Sequence, residues 1–179
     1  MPEMKKATFA GGCFWCIQPA FDSLSRVART AVGYTGGKKT NPTYEEVCEG
    51  TTGHTEAIEV EYDPAVVSYE TLIETFWRQI DPTQLNGQFA DKGTQYRTGV
   101  YFHDAEQKAA ALKSRDDLAK SGRFDKPIQT EILPAQAFYP AEEYHQKYYQ
   151  KKTAHYKMYR QGSGRQEYIE RTWGQGDHS

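Results

Sequence analysis

Hydrophobic and polar positions alternate most regularly between residues 54 and 62. Ile58, Val60 and Tyr62 share one parity and Glu59 and Glu61 the other, the period-two pattern of a strand with one face in a core. Asp63-Pro64 ends it. Upstream, the run Ala7-Thr8-Phe9-Ala10 reads as a first strand, and Ile17 to Phe21 as a helix with Pro19 in its early turns. Residues 26–34 form a second strand, with Val27, Arg29, Ala31 and Gly33 on one parity and Ala28, Thr30, Val32 and Tyr34 on the other. A Gly36-Gly37-Lys38-Lys39 loop follows, then a short helix over 42–48 stopped by Gly50. Ser68 is placed to cap a helix running to about Ile80, with Leu72, Ile73, Phe76, Trp77 and Ile80 on its apolar side, before Asp81-Pro82 breaks it. Residues 81–97 read as a long polar loop, and 98–102 as a strand. Asp104 caps a long helix to about Ser121, and 128–133 is a further strand. A single helix is expected over 141–158. From Gly162 the chain reads as an extended tail, docked only by Tyr168, Ile169 and Trp173.

The first six of these elements have the split βαβ order of ferredoxin-like folds. The expected fold class is therefore α+β: a two-layer sandwich around a mixed sheet, in one domain spanning 1–179 with its core over 6–158.

Two departures from the pattern carry chemistry. Glu56 falls on the apolar parity of the 54–62 strand, where burial raises a carboxyl pKa and keeps its proton available for general acid catalysis. The same position at a wet strand end gives an ordinary solvated carboxylate, so the pattern leaves both readings open. The second departure is Gly11-Gly12-Cys13-Phe14-Trp15-Cys16, where two glycines mark a strand-to-helix turn. Unpaired backbone N–H groups and the helix dipole favour an anion at such a start, so Cys13 is expected to be a nucleophilic thiolate of depressed pKa. Cys16 follows one turn later on the same side, within disulfide reach. Phe14 and Trp15 suggest the wall of a small apolar pocket. Tyr34, at the end of the second strand, and Asp91 and Tyr96, closing the long loop, supply polar groups where a site can form.

Composition narrows the picture. Hydrophobic residues are only 37% of the chain, but 13 Tyr, 8 Phe and 3 Trp predict an aromatic-rich core and pockets. A net charge of −2 and a pI near 6.2 give no reason to expect a nucleic-acid or membrane-surface partner. No run is long and apolar enough for a bilayer, and the N-terminal segment does not read as a secretory signal. Three cysteines are no disulfide framework, which points to a reducing cytoplasm whose disulfides are transient and catalytic, and the chain is expected to be a monomer. Two other readings compete. Cys13, Cys16, Cys48 and His54 match the ligand count of a structural zinc site, although Cys48 and His54 lack the usual knuckle spacing. A general thioredoxin-like dithiol oxidoreductase also uses a two-residue spacer, but places its Trp before the first Cys.

The blocks Gly11-Gly12-Cys13-Phe14-Trp15, Gly33-Tyr34-Thr35-Gly36-Gly37, Tyr44-Glu45-Glu46-Val47-Cys48, Gly53-His54-Thr55-Glu56-Ala57, Gly93-Thr94-Gln95-Tyr96-Arg97 and Ala141-Glu142-Glu143-Tyr144-His145-Gln146 together resemble the A-type peptide-methionine sulfoxide reductases. The resemblance covers about residues 6–150. It implies Cys13 as nucleophile, Phe14 and Trp15 around the substrate methyl group, and Glu56 with Tyr34 and Tyr96 on the sulfoxide oxygen, with Asp91 in the same pocket. It also implies the S epimer of methionine sulfoxide as substrate, free or in proteins, thioredoxin as reductant, and no metal or organic cofactor. Many members carry Gly at the position of Cys16 and resolving cysteines in the tail. Here no cysteine follows Cys48, so Cys16 is expected to resolve the oxidised Cys13, and Cys48 to be structural.

Overall fold

The computed structural model describes residues 3–24 and 26–174. Strand β1 (Lys5–Gly11) leads into α1 (Phe14–Asp22), β2 (Val27–Thr35), α2 (Tyr44–Cys48), β3 (Thr55–Tyr62) and α3 (Tyr69–Trp77). A small hairpin, β4 (Gly87–Gln88) and β5 (Asp91–Lys92), interrupts the long loop and is followed by a 3-10 turn at Thr94–Tyr96. Then come β6 (Thr98–Phe102), α4 (Ala105–Lys120), β7 (Glu131–Pro134), β8 (Tyr139–Pro140), α5 (Tyr148–Lys151), α6 (Thr153–Ser163) and α7 (Arg165–Trp173).

The main sheet runs β7-β6-β1-β3-β2-β8. Its centre, β6-β1-β3-β2, has antiparallel neighbours throughout and the order expected of a split βαβ fold. Strand β7 adds in parallel to β6, which makes the sheet mixed. The period-two pattern of β3 is realised: Ile58, Val60 and Tyr62 are buried, while Glu59 and Glu61 are half-buried. The core lies between this sheet and α1, α3 and α4. Phe9 of β1 stacks on Phe21 of α1 at 5.4 Å and on Phe76 of α3 at 5.0 Å, all three fully buried. Helix starts are capped as the sequence suggests. Ser68 accepts from the Thr71 N–H at 3.1 Å and Asp104 from the Gln107 N–H at 2.8 Å. Thr43 and Glu46 close a reciprocal capping box on α2.

Two expectations are corrected. The single helix over 141–158 is instead a 3-10 turn at Glu143–His145 and two helices. The Gln146 side chain accepts from the Val32 N–H and donates to the Val32 carbonyl, both at 2.9 Å, and so ties the chain to the edge of β2. Lys147 then takes a left-handed φ of 53°, which a continuous helix cannot contain. The tail from 162 is not extended: α7 spans Arg165–Trp173 and buries Arg165, Ile169 and Trp173, spaced four apart on one face. Trp173 sits between the guanidinium groups of Arg78 and Arg123, 4.6 and 4.1 Å from its ring. Residues 175–179 of the expected tail lie outside the described residues.

The aromatic stack around Phe9 joins three elements. Phe9→Ala is expected to cost about 3–5 kcal/mol of unfolding free energy, measured by urea denaturation. A loss below about 1 kcal/mol would show that the core does not depend on this stack.

Candidate active site

The turn between β1 and α1 brings the chemistry together. Gly12 has φ +82°, and a Cβ there would lie 2.6 Å from Gln88 Cβ and 2.9 Å from Arg165 Nη2. Only glycine fits where the 81–97 loop and α7 press against this turn. Cys13 is the N-cap of α1, with its Sγ in hydrogen-bond contact with the Cys16 thiol. Cys13 is 6% exposed and Cys16 1%. Both sulfurs lie beneath Tyr156, Tyr148, Tyr149 and Tyr159, a cover supplied by α5 and α6.

Glu56 is buried, and its Oε1 accepts the Phe14 backbone N–H at 3.2 Å. The first free amide of α1 is thus used by a carboxyl. Burial pushes the Glu56 carboxyl up to about 8, against the Phe14 N–H, which favours its charged form, and with the help of nearby Asp91 and Cys16. The buried reading of Glu56 therefore holds.

The thiols differ from expectation. The Cys16 thiol is drawn down to about 6, first by its hydrogen bond to Cys13 and then by the charges of Arg165 and Arg160. Burial, the Cys16 sulfur and the carboxyls of Glu56 and Asp91 push the Cys13 thiol well up. The two thiols titrate as a pair, and of the two Cys16 is the more acidic. Burial and these neighbouring groups outweigh the helix start at Cys13.

Phe14 and Trp15 form one wall. Phe14 is buried against Tyr34, Tyr44 and His145, with ring centroids 5.8, 6.4 and 5.2 Å away. The Trp15 indole donates to His145 Nδ1 at 2.9 Å, stacks on Tyr148 at 4.0 Å and meets the edge of Tyr159 at 5.8 Å. Asp91 accepts a hydrogen bond from the Tyr159 hydroxyl.

Tyr34 and Tyr96 separate. Tyr34 is the cross-strand partner of Glu56, but it is fully buried and its hydroxyl donates to Glu142 at 2.9 Å. The hydroxyl neighbouring Tyr96 is instead that of Tyr44, at the first position of α2. Both hydroxyls lie near the Cys48 sulfur and near the Glu56 carboxyl. Glu142 places both tyrosines, since its second oxygen accepts the Tyr44 backbone N–H at 3.0 Å. Sequence reasoning assigned no role to Tyr44, His145, Tyr148, Tyr159, Arg160 or Arg165. The capping box before Tyr44 was the available signal for that residue.

The zinc arrangement does not form. Both ring nitrogens of His54 are engaged, Nδ1 by the Gly37 N–H at 3.1 Å and Nε2 by the Lys39 carbonyl at 2.7 Å. Among the described residues no three His, Cys, Asp or Glu side chains are grouped to hold a metal ion. No helix among them is long and apolar enough to cross a membrane.

A buried dithiol at a helix start, beside a carboxyl held protonated and walled by aromatics, defines a thiol-based oxidoreductase. A model of the family described as peptide methionine sulfoxide reductase matches residues 5–177. Peptide methionine sulfoxide reductase MsrA of Listeria monocytogenes serotype 4a (strain HCC23) is 55% identical over 171 residues, 96% of this chain and 97% of that protein. The solved structure of reduced Mxr1 from Saccharomyces cerevisiae superposes with a TM-score of 0.79 at 34% identity, covering 84% of this chain and 87% of that one. Mxr1 in complex with Trx2 matches at a TM-score of 0.58 and 25% identity, covering 82% and 85%. The chain belongs to the peptide methionine sulfoxide reductase family and is an oxidoreductase.

A raised Glu56 pKa has a stability consequence. The folded-state value near 8 exceeds the unfolded value of about 4.3, so its contribution is fully present below about pH 4.3 and is lost as pH rises through 8. The unfolding free energy of wild type minus that of Glu56→Gln is therefore expected to fall across this window, with a slope approaching about 1.4 kcal/mol per pH unit. Denaturation at several pH values measures it. A flat difference would mean that Glu56 is ionised in the folded protein at ordinary acidity.

Proposed function

We propose that this protein reduces the S epimer of methionine sulfoxide, free or in proteins, through a Cys13 sulfenic acid and a Cys13–Cys16 disulfide that thioredoxin recycles. The observation that carries the reading is the buried Glu56 carboxyl, bonded to the Phe14 amide next to Cys13, where burial raises its pKa. Cys13 gives its proton to the Cys16 thiolate across their hydrogen bond and attacks the sulfoxide sulfur. Glu56 passes its proton to the oxygen as charge develops there. The bond so formed between Cys13 and the substrate sulfur is transient: as the protonated oxygen shifts from the substrate sulfur to the Cys13 sulfur, the substrate S–O bond and the S–S bond break and a Cys13 S–O bond forms, leaving Cys13 oxidised by two electrons to a sulfenic acid and methionine released reduced by two. The Cys16 thiol then attacks the Cys13 sulfur, and the hydroxyl departs as water with the Cys16 proton. Glu56 regains its proton from solvent, and an external dithiol reduces the disulfide.

Tyr96 and Tyr44, rather than Tyr34, suit the sulfoxide oxygen, because the Tyr34 hydroxyl is committed to Glu142. Phe14 and Trp15 suit the methyl group. Asp91 borders the pocket and holds Tyr159 of the cover. Thioredoxin as reductant is supported by the Mxr1–Trx2 complex among the structural relatives. Three free thiols suit a reducing cytoplasm, where we take the protein to act as a monomer.

The defining experiment supplies separated sulfoxide epimers with dithiothreitol. Turnover of the S epimer alone is expected. Insulin disulfide reduction without sulfoxide turnover would support the general oxidoreductase instead. Cys13→Ser is expected to abolish activity with any reductant. Cys16→Ser is expected to release about one methionine per protein in a single turnover yet lose thioredoxin-linked cycling, because the first step needs no second oxidisable sulfur. Cys48→Ser is expected to keep that cycling within a few-fold. A Cys13–Cys48 peptide link in the oxidised protein, with cycling intact in Cys16→Ser, would overturn the resolving role.

Glu56→Gln is expected to slow methionine release by roughly 10²–10⁴-fold. Tyr44→Phe is expected to impair it more than Tyr34→Phe. Equal effects of the two tyrosine variants in single-turnover assays would return Tyr34 to the oxygen site.

A further inference from the structure

Arg165 is a cation in an unusual place. It is 1% exposed, and a guanidinium cannot shed its charge by deprotonating. Its Nη1 donates to the Gln79 carbonyl at 2.6 Å and its Nη2 to the Gly11 carbonyl at 3.1 Å, and its Cζ lies 4.7 Å from the centre of the Phe89 ring. Among the described residues no carboxylate pairs with it within salt-bridge distance. Two carbonyl oxygens and a ring face satisfy its hydrogen bonds but do not neutralise it, and an uncompensated buried charge is strongly destabilising. The nearest built turn is Gly11-Gly12-Cys13, pressed so closely that a Cβ on Gly12 would meet Arg165 Nη2 at 2.9 Å.

We propose that Arg165, delivered by the C-terminal helix, is a positioning residue for the sulfur chemistry: it pins the turn that carries Cys13 and is the fixed counter-charge of the Cys13/Cys16 pair. The proposal rests on the dithiol reading above. The groups facing the pair have opposing effects. Glu56 from β3 and Asp91 from β5 disfavour a thiolate, Tyr156 and Tyr159 of α6 and Tyr96 of the 3-10 turn are neutral, and Arg160 of α6 favours one. Arg160 is half-buried and shares its head group among the Cys16 carbonyl, the Tyr156 hydroxyl and Gln166. Arg165 is the fully buried cation of the set. Its pull on Cys16 agrees in direction with this role.

The dependence runs both ways. While the pair is reduced, its single negative charge compensates Arg165. When Cys13 and Cys16 join, that charge disappears and the guanidinium keeps the two carbonyls, the Phe89 ring and the neighbouring Glu56 carboxyl, which burial keeps largely protonated. The docking of α7 is then weaker in the disulfide state than in the reduced state.

The test needs no substrate, so it is independent of whether the protein reduces sulfoxides. Thiolate ultraviolet absorbance and iodoacetamide alkylation are followed against pH in reduced wild type, R165M and R165K. R165M keeps the side-chain bulk without the charge. Its first thiolate midpoint is expected to rise by about one pH unit or more, so that alkylation below the midpoint slows about tenfold. R165K restores the cation and is expected to titrate closer to wild type. A folded R165M that titrates like wild type would overturn the proposal. Should R165M fail to fold, wild type alone decides: backbone hydrogen exchange over 165–173 is expected to accelerate several-fold when the Cys13–Cys16 disulfide forms. Equal exchange in the two redox states would overturn the proposal as well.

Discussion

The hydrogen bond from the Phe14 amide to the buried Glu56 carboxyl, 3.2 Å long, is the contact on which the site depends. It joins the start of α1 to the middle of the sheet, and so fixes the dithiol on one element against an acid on another. It also decides where charge goes. A free helix start favours an anion, but here the amide is given to a carboxyl that burial keeps protonated. The more acidic thiol of the site lies one turn along, at Cys16, where its hydrogen bond to Cys13 and the charges of Arg165 and Arg160 favour the thiolate. A carboxyl that keeps its proton and a dithiol whose second sulfur is acidic enough to take the proton of Cys13 are thereby held in one small volume, the arrangement that acid-assisted sulfur displacement requires.

Everything around this contact serves to exclude water from it. The sheet places Glu56 by register, as the residue of β3 paired across to Tyr34. The Phe9 stack holds α1 and α3 on one face of that sheet. The tyrosines of α5 and α6 close over the sulfurs, and α7 locks the closure by burying Ile169, Trp173 and Arg165. The C-terminal third of the chain is thus part of the site rather than an appendage. Glu142 is a second organiser, accepting from the Tyr34 hydroxyl and the Tyr44 amide and so setting which tyrosine faces the chemistry.

Much of this was legible in the chain. Period-two alternation in β3 located the central strand and exposed Glu56 as its misfit, and the Gly-Gly turn marked the start of α1. The order of elements was enough for the split βαβ core. What escaped depends on long-range contacts. Tyr34 shares a face with Glu56, as parity demands, yet parity does not report where a hydroxyl some six ångströms farther out will bond. Gln146 breaks a helical-looking stretch through a bond to Val32, more than a hundred positions away. Arg165 resembles a surface residue in a polar tail until α7 carries it under the Gly12 turn. The depressed pKa expected for Cys13 failed for the same reason, since the burial and the carboxyls of Glu56 and Asp91 that push it up come from distant parts of the chain.

The central claim is that Glu56 is protonated at neutral pH in the folded, reduced protein. Infrared difference spectroscopy of wild type against Glu56→Gln observes this directly through the carboxylic-acid carbonyl band. The account predicts a buried-acid band at neutral pH that belongs to Glu56, is absent from the variant and titrates away near pH 8. Only a carboxylate signature for Glu56 throughout the range from about pH 5 to 7 would contradict it.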